Sequence, residues 1–168
     1  MTLNKMTVIK LNQTSQPEEL KILTSRAIPI DDVTLIKDLV QDLIETAESL
    51  SNCVGLSANQ IWKGDQTKIP AVSIVLSWEE SAEHNEPPDK WKVLVNPSGK
   101  GSGPNIKYWE ICMSSRHKKP KIKKRKKNYT LTYYDMSMLP RTIKMTGVLA
   151  QLIQHELDHL KGETLWRE

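Results

Sequence analysis

The sequence predicts an α+β fold, and three patterns predict it. An amphipathic helix pattern lies toward the N-terminal end, short apolar runs of strand composition fill the middle, and a second helical pattern closes the chain. That order implies antiparallel or mixed sheets packed around the C-terminal helix, with one amphipathic helix near the N-terminus. With 168 residues and no internal repeat or long Gly/Ser linker, residues 1–168 are expected to form a single domain.

Each element has its own signal. Residues 1–30 read as irregular, with Pro17 and Pro29 as breakers. Asp31 and Asp32 then offer an N-cap and negative charge for a helix N-terminus. Val33, Ile36, Leu39, Val40, Leu43, Ile44, Ala47 and Leu50 recur at three- and four-residue steps, so the helix should end near Asn52. Residues 70–77, PAVSIVLS, read as a buried strand. WKVLVNP at 91–97 reads as another, stopped by Pro97 and Gly99. The polar run EESAEHNEPPDK between them reads as a loop. NYTLTYYD at 128–135 is rich in β-branched and aromatic residues, and residues 139–146 should pair with it across a short turn. The last helix should start near Thr146 and Gly147 and run to about Lys161, with Gly162 as its stop.

Composition removes several classes of function. The longest apolar run without charge, Ile69 to Trp78, is about half of the roughly twenty residues a membrane span needs. The first dozen residues hold no apolar block of signal-peptide length. Cys53 and Cys112 cannot build a disulfide framework. A cytoplasmic, monomeric protein without membrane contact is the expectation. The net charge of +4 conceals an uneven distribution. Arg116 to Lys127, RHKKPKIKKRKK, holds nine Lys or Arg and no acid, while the rest of the chain holds fifteen basic and twenty acidic side chains. Such a strip reads either as a solvated hairpin or edge strand, or as a contact for RNA phosphates, for instance on a ribosome.

The chemistry gathers in the last helix, at His155-Glu156-Leu157-Asp158-His159. Residues four apart share a helix face, so His155 and His159 can hold one metal ion with Glu156 beside it. Two ligands leave a metal under-coordinated. In the H-E-x-x-H-x-x-G-x-x-H frame Gly162 fits, but Leu165 stands at the ligand position, so the third ligand must come from upstream. Cys112 is the best candidate because thiolate binds zinc or iron strongly; Cys53, His84 and His117 are the others.

Three blocks together resemble the peptide deformylase family. Cys53-Val54-Gly55-Leu56-Ser57-Ala58-Asn59-Gln60 is similar to its G-x-G-x-A-A-x-Q, Glu110-Ile111-Cys112-Met113-Ser114 to its E-G-C-L-S, and His155 to His159 to its H-E-x-D-H. The resemblance implies a hydrolase that removes the formyl group from N-formylmethionyl peptides, releasing formate. It implies Cys112, His155 and His159 as ligands of iron(II), with zinc, nickel or cobalt as substitutes. It implies Glu156 as the acid/base and Gln60 with the Met113 backbone N–H as oxyanion donors. It implies Val54, Gly55, Val148 and Leu152 as the wall around the methionine side chain. Length likens the chain to short members, including those of bacterial viruses.

Departures from the pattern set further expectations. Cys53 and Ile111 replace glycines and should add bulk at the substrate cleft; Ser57 for alanine looks minor. Gln151, one turn before His155, reads as a substrate contact or as a cap on the pocket. Glu110 reads as an orienter of a metal ligand or a local loop anchor, Asp158 as a structural helix charge or a partner behind a ligand, and Trp62 and Trp109 as packing residues. Two rival functions share the same residues: a metallopeptidase using the H-E-x-x-H site, and a non-catalytic scaffold with a blocked cleft that binds ribosomal RNA.

Overall fold

The computed structural model describes residues 11–77, 90–115 and 119–165. The polar loop up to residue 89, with His84, and residues 116–118 of the basic strip, with His117, lie outside them.

Two helices precede the sheet where the sequence led us to expect one. Pro17–Leu23 forms α1, although Pro17 reads as a breaker. It sits in the first turn, where a missing N–H costs no hydrogen bond, and Glu18 and Glu19 complement the positive helix end. Asp32 caps the next segment as expected, accepting from the Thr34 N–H at 2.8 Å. One tight turn over Val33–Ile36 leads into α2, Lys37–Ser49.

Five strands follow: β1 (Gly55–Ser57), β2 (Val72–Leu76), β3 (Trp91–Glu110), β4 (Lys121–Tyr134) and β5 (Pro140–Thr146). They form one sheet in chain order, with every neighbouring pair antiparallel. Among the described residues the only parallel bridge is Ile28 with Pro70.

The predicted strands are present, but β3 does not stop at Pro97 and Gly99. Pro97 falls in a register shift between Val95 and Ser98, where its missing N–H breaks no ladder. At Gly99 a Cβ would run into the Tyr129 ring and the Thr130 carbonyl, so this glycine lets β4 approach rather than ending the strand. β4 correspondingly starts at Lys121, seven residues before the segment expected from composition.

β2 is covered on both faces, which explains its unbroken apolar run. Val72 and Ile74 pack with Val40, Leu43 and Ala47 of α2. Val75 packs with Ala150, Ile153 and Leu157 of α3 (Gly147–Leu160). Side chains alternate along a strand, so Ser73 shares the Val75 face and points toward α3. The register sets Gly55 opposite Val75 and Ser57 opposite Ser73, so both β1 residues face α3 as well.

The α3 stop is the predicted one. Gly162 has φ +78° and its N–H donates to the His159 carbonyl at 2.9 Å, while the Glu163 N–H donates to the Asp158 carbonyl at 2.8 Å. This is a Schellman closure, and the Thr24 carbonyl lies where a Gly162 Cβ would be.

Candidate active site

α3 presents His155 and His159 on one side, with ring centroids 5.0 Å apart. The turn after β3 brings Cys112 to them, its Sγ 3.4 Å from His159 Nε2. One donor atom from each of the three residues lies within 4.8 Å of the others. Among the described candidates for third ligand, Cys112 is the one that joins the two histidines. Cys53 is outside the group, and His84 and His117 lie outside the described residues.

The electrostatics of this trio suit a cation. Burial opposes a Cys112 thiolate, but the flanking imidazoles outweigh it and hold the thiol well below its usual pKa. Burial likewise opposes a charged His155, yet bonds to Cys112 and Glu110 raise it to about 10. The trio thus favours a thiolate beside two imidazole nitrogens at coordination spacing, a donor set that fits a divalent ion.

One ligand, His155, is held from behind. The Glu110 carboxylate accepts from His155 Nδ1 at 3.0 Å, leaving Nε2 for the ligand cluster. Glu110 is itself gripped by Arg125, whose Nε and Nη2 both donate at 2.7 Å, and Arg125 also bonds Asp158. Burial alone would raise the Glu110 carboxyl, but Arg125 and His155 reverse that and bring it down to about 2. Glu110 therefore orients His155, while Asp158 touches Arg125 rather than a ligand. Arg125 was hidden in the basic strip: it is 6% exposed, not a solvated cation.

Glu156 is also buried, and burial raises its carboxyl pKa against the pull of both imidazoles and Ser57. Gln60 has a fixed amide. Its Oε1 accepts from the Ser57 N–H at 3.0 Å, so its Nε2 points toward Ser114 Oγ at 3.1 Å and Cys112 Sγ at 3.9 Å.

These groups border a cleft of about 190 Å³. Val54, Gly55, Gln60, Met113, Val148, Leu152, His155 and Glu156 all contribute to its wall, whereas the buried Cys112 and His159 do not. Val148 is a rim residue, 74% exposed. Gln151 lines the same cleft and donates to the Trp109 carbonyl at 3.5 Å, tying α3 to the end of β3.

Two expectations, for Cys53 and Trp109, change, and that for Ile111 holds. Cys53 does not crowd the cleft; it packs into the core beneath α2, its thiol pushed up to about 11 by burial and donating to the Gly55 carbonyl at 3.3 Å. Ile111 does stand at the cleft, half-exposed, without closing it. Trp109 is no packing residue: it is 69% exposed on the rim, opposite Ile122 of β4. Nothing in the sequence revealed this, because the second half of β3 carries no apolar period. Trp62 packs against a core cluster as expected.

The comparisons agree with this geometry. The polypeptide deformylase family profile matches residues 10–168. The peptide deformylase of Wolbachia pipientis subsp. Culex pipiens is 34% identical over 145 residues, covering 83% of this chain and 77% of the relative. That of Roseiflexus castenholzii is 34% identical over 152 residues, covering 87% and 80%. The enzyme of Vibrio parahaemolyticus bacteriophage VP16T, solved in complex with actinonin, superposes with a TM-score of 0.72 at 25% identity, over 93% of this chain and 99% of that one. The Thermotoga maritima peptide deformylase shares the fold with a TM-score of 0.74 at 19% identity. A ligand trio, a buried acid beside it and a cleft in front, on a chain with these relatives, place this protein in the peptide deformylase family.

Proposed function

We propose that residues 1–168 act as one catalytic domain that removes the formyl group from the N-terminal methionine of nascent peptides, with Glu156 as the acid/base. The observation that carries this is the placement of Glu156: buried, on the cleft wall, next in sequence to His155 and in electrostatic contact with Cys112, His155 and His159. Bound there, a divalent ion, iron(II) or in its place zinc, nickel or cobalt, supplies a Lewis acid and lowers the pKa of a water.

The protein's own groups do the rest. Glu156 takes a proton from the water that attacks the formyl carbon and returns it to the departing amine. Gln60 Nε2, already turned toward Cys112, and the Met113 N–H donate to the oxygen as negative charge develops on it. Val54, Gly55, Val148 and Leu152 receive the methionine side chain. Formate and a peptide with a free N-terminal methionine leave.

The test is formate release from formyl-Met-Ala-Ser by anaerobically purified iron and nickel forms, beside Glu156→Ala. Turnover in the parent, lost by about a thousandfold or more in the variant with metal content unchanged, supports the reading. Cleavage of unformylated peptides would favour a metallopeptidase. Bound metal without turnover would favour a scaffold, which the open cleft and the core position of Cys53 already disfavour.

RNA contact rests on what remains exposed of the basic strip. Lys119, Lys124, Lys126 and Lys127 face solvent, and Lys107 stands directly across from Lys124. If this face tracks phosphates, reversing Lys124 and Lys126 to Glu abolishes salt-sensitive co-sedimentation with ribosomes; unchanged co-sedimentation removes RNA as a partner.

A further inference from the structure

The serine that looked like a minor departure in the first motif sits against the catalytic carboxylate. Ser57 Oγ lies 2.6 Å from Glu156 Oε2 and 2.7 Å from Ser73 Oγ. Both serines are fully buried, and Glu156 is nearly so. The contact follows from the register: Ser57 and Ser73 are cross-strand partners on the face of the sheet that meets α3.

Hydrogen counting gives the chain a direction. A serine hydroxyl has one hydrogen, and the carboxylate, in the ionised state in which it acts as the base, can only accept. Ser57 therefore donates to Glu156 Oε2, and Ser73 donates to Ser57. The other carboxylate oxygen is defined by exclusion of volume. A Cβ on Gly55 would lie 2.6 Å from Glu156 Oε1, so Oε1 rests against the bare Gly55 backbone, which forms part of the cleft wall.

We propose that Ser57, backed by Ser73, is a positioning residue for Glu156. Its hydroxyl occupies Oε2 and fixes the rotation of the carboxylate, so that Oε1 on the Gly55 side is the oxygen that accepts and returns the proton. This inference rests on the deformylase reading of the site. Atoms balance within it: the proton leaves the attacking water for Oε1 and passes from Oε1 to the amine nitrogen, while the Ser57 and Ser73 hydrogens stay in place.

Ser57→Ala, Ser73→Ala and the double variant test the idea in the nickel-loaded enzyme. Ser57→Ala should lower kcat on formyl-Met-Ala-Ser about tenfold, with KM within about twofold and metal content unchanged, because rotation of the base affects the chemical step and not substrate contacts. Ser73 acts only through Ser57, so the double variant should be no slower than Ser57→Ala alone. Ser57→Thr, which keeps the hydroxyl, should recover most of the loss. A crystal structure of Ser57→Ala should show the Glu156 carboxylate rotated or in two orientations. A kcat for Ser57→Ala within about twofold of the parent, or additive losses in the double variant, would overturn the proposal. A parent that releases no formate would overturn the deformylase reading instead. The crystal structure then still decides the positioning claim, since an unmoved carboxylate refutes it without any assay of turnover.

Discussion

Removing Arg125 should destabilise this protein more than removing any other cation of the strip in which it lies. Its guanidinium makes a two-pronged bond to Glu110 and a third bond to Asp158. Arg125 and Glu110 are 6% and 4% exposed. In Arg125→Ala the carboxylate loses both bonds of the fork, keeps its bond to His155 and stays buried. Two routes give the magnitude. The Glu110 carboxyl is held at about 2 against an ordinary 4.5 by Arg125 and His155 together, and at ~1.4 kcal/mol per pKa unit this sets an upper bound of about 3 kcal/mol on the share of Arg125 at neutral pH. Stranding one member of a buried ion pair costs about 3–5 kcal/mol in general.

For a chain of this length, 3 kcal/mol corresponds to a fall in Tm of about 6–12 °C. The measurement is thermal and urea unfolding of the nickel-loaded parent, Arg125→Ala and, as control, Lys124→Ala. The control cation is exposed on the same strand and should shift Tm by about 1–2 °C or less. Arg125→Lys keeps the charge but loses the fork, and should fall between them. Nickel affinity of Arg125→Ala should also weaken by about tenfold or more, because Glu110 no longer holds His155 firmly. Equal Tm shifts for Arg125→Ala and Lys124→Ala would refute the reasoning and return Arg125 to the solvated strip.

Acid should act through the same pair. The depressed Glu110 pKa contributes stability that is complete above pH 4.5 and is lost as pH falls toward 2, so the gap in unfolding free energy between parent and Arg125→Ala should close over that interval. Gly55→Ala should leave the fold nearly as stable, yet lower kcat about a hundredfold with metal retained, because its Cβ would displace the Glu156 carboxylate; a kcat within about threefold of the parent would show that the carboxylate gives way freely. Gly162→Ala should cost about 1–2 kcal/mol or more in urea unfolding without altering the ligand set, since residue 162 combines φ +78° with contact to the Thr24 carbonyl.

What could be read from the sequence follows from which forces leave a period. α2 and α3 bury one stripe each, so their apolar residues recur at helical steps, and the Asp32 cap and Gly162 stop are local chemistry. β2 and the second half of β4 carry core residues such as Ile74 and Leu131, and their composition betrays them. The far half of β3, residues 98–110, and the near half of β4 pair mainly with each other and stay largely exposed. Their backbone bonds hold them, and backbone bonds leave no apolar alternation to find. α1 was missed for another reason: Pro17 breaks a helix from inside but starts one from its first turn.

The site divides along the same line. A metal demands particular residue types, and a helix demands a particular spacing, so His155, Glu156 and His159 announce themselves and the motif blocks add Cys112 and Gln60. The groups that hold them obey no such spacing. Arg125 looks like one of nine cations until the β3–β4 register sets it across from Ile106, on the face that Glu110 shares, and its side chain reaches Glu110 and Asp158 of α3. Ser57 looks like an alanine substitute until the β1–β2 register sets it across from Ser73 and beneath Glu156. Two chains identical in the ligand and acid residues, but different at Arg125 or Ser73, would therefore read alike as sequences. The first change would loosen a ligand and the fold together, while the second would leave both intact and reach only the chemical step through the hydroxyl of Ser57.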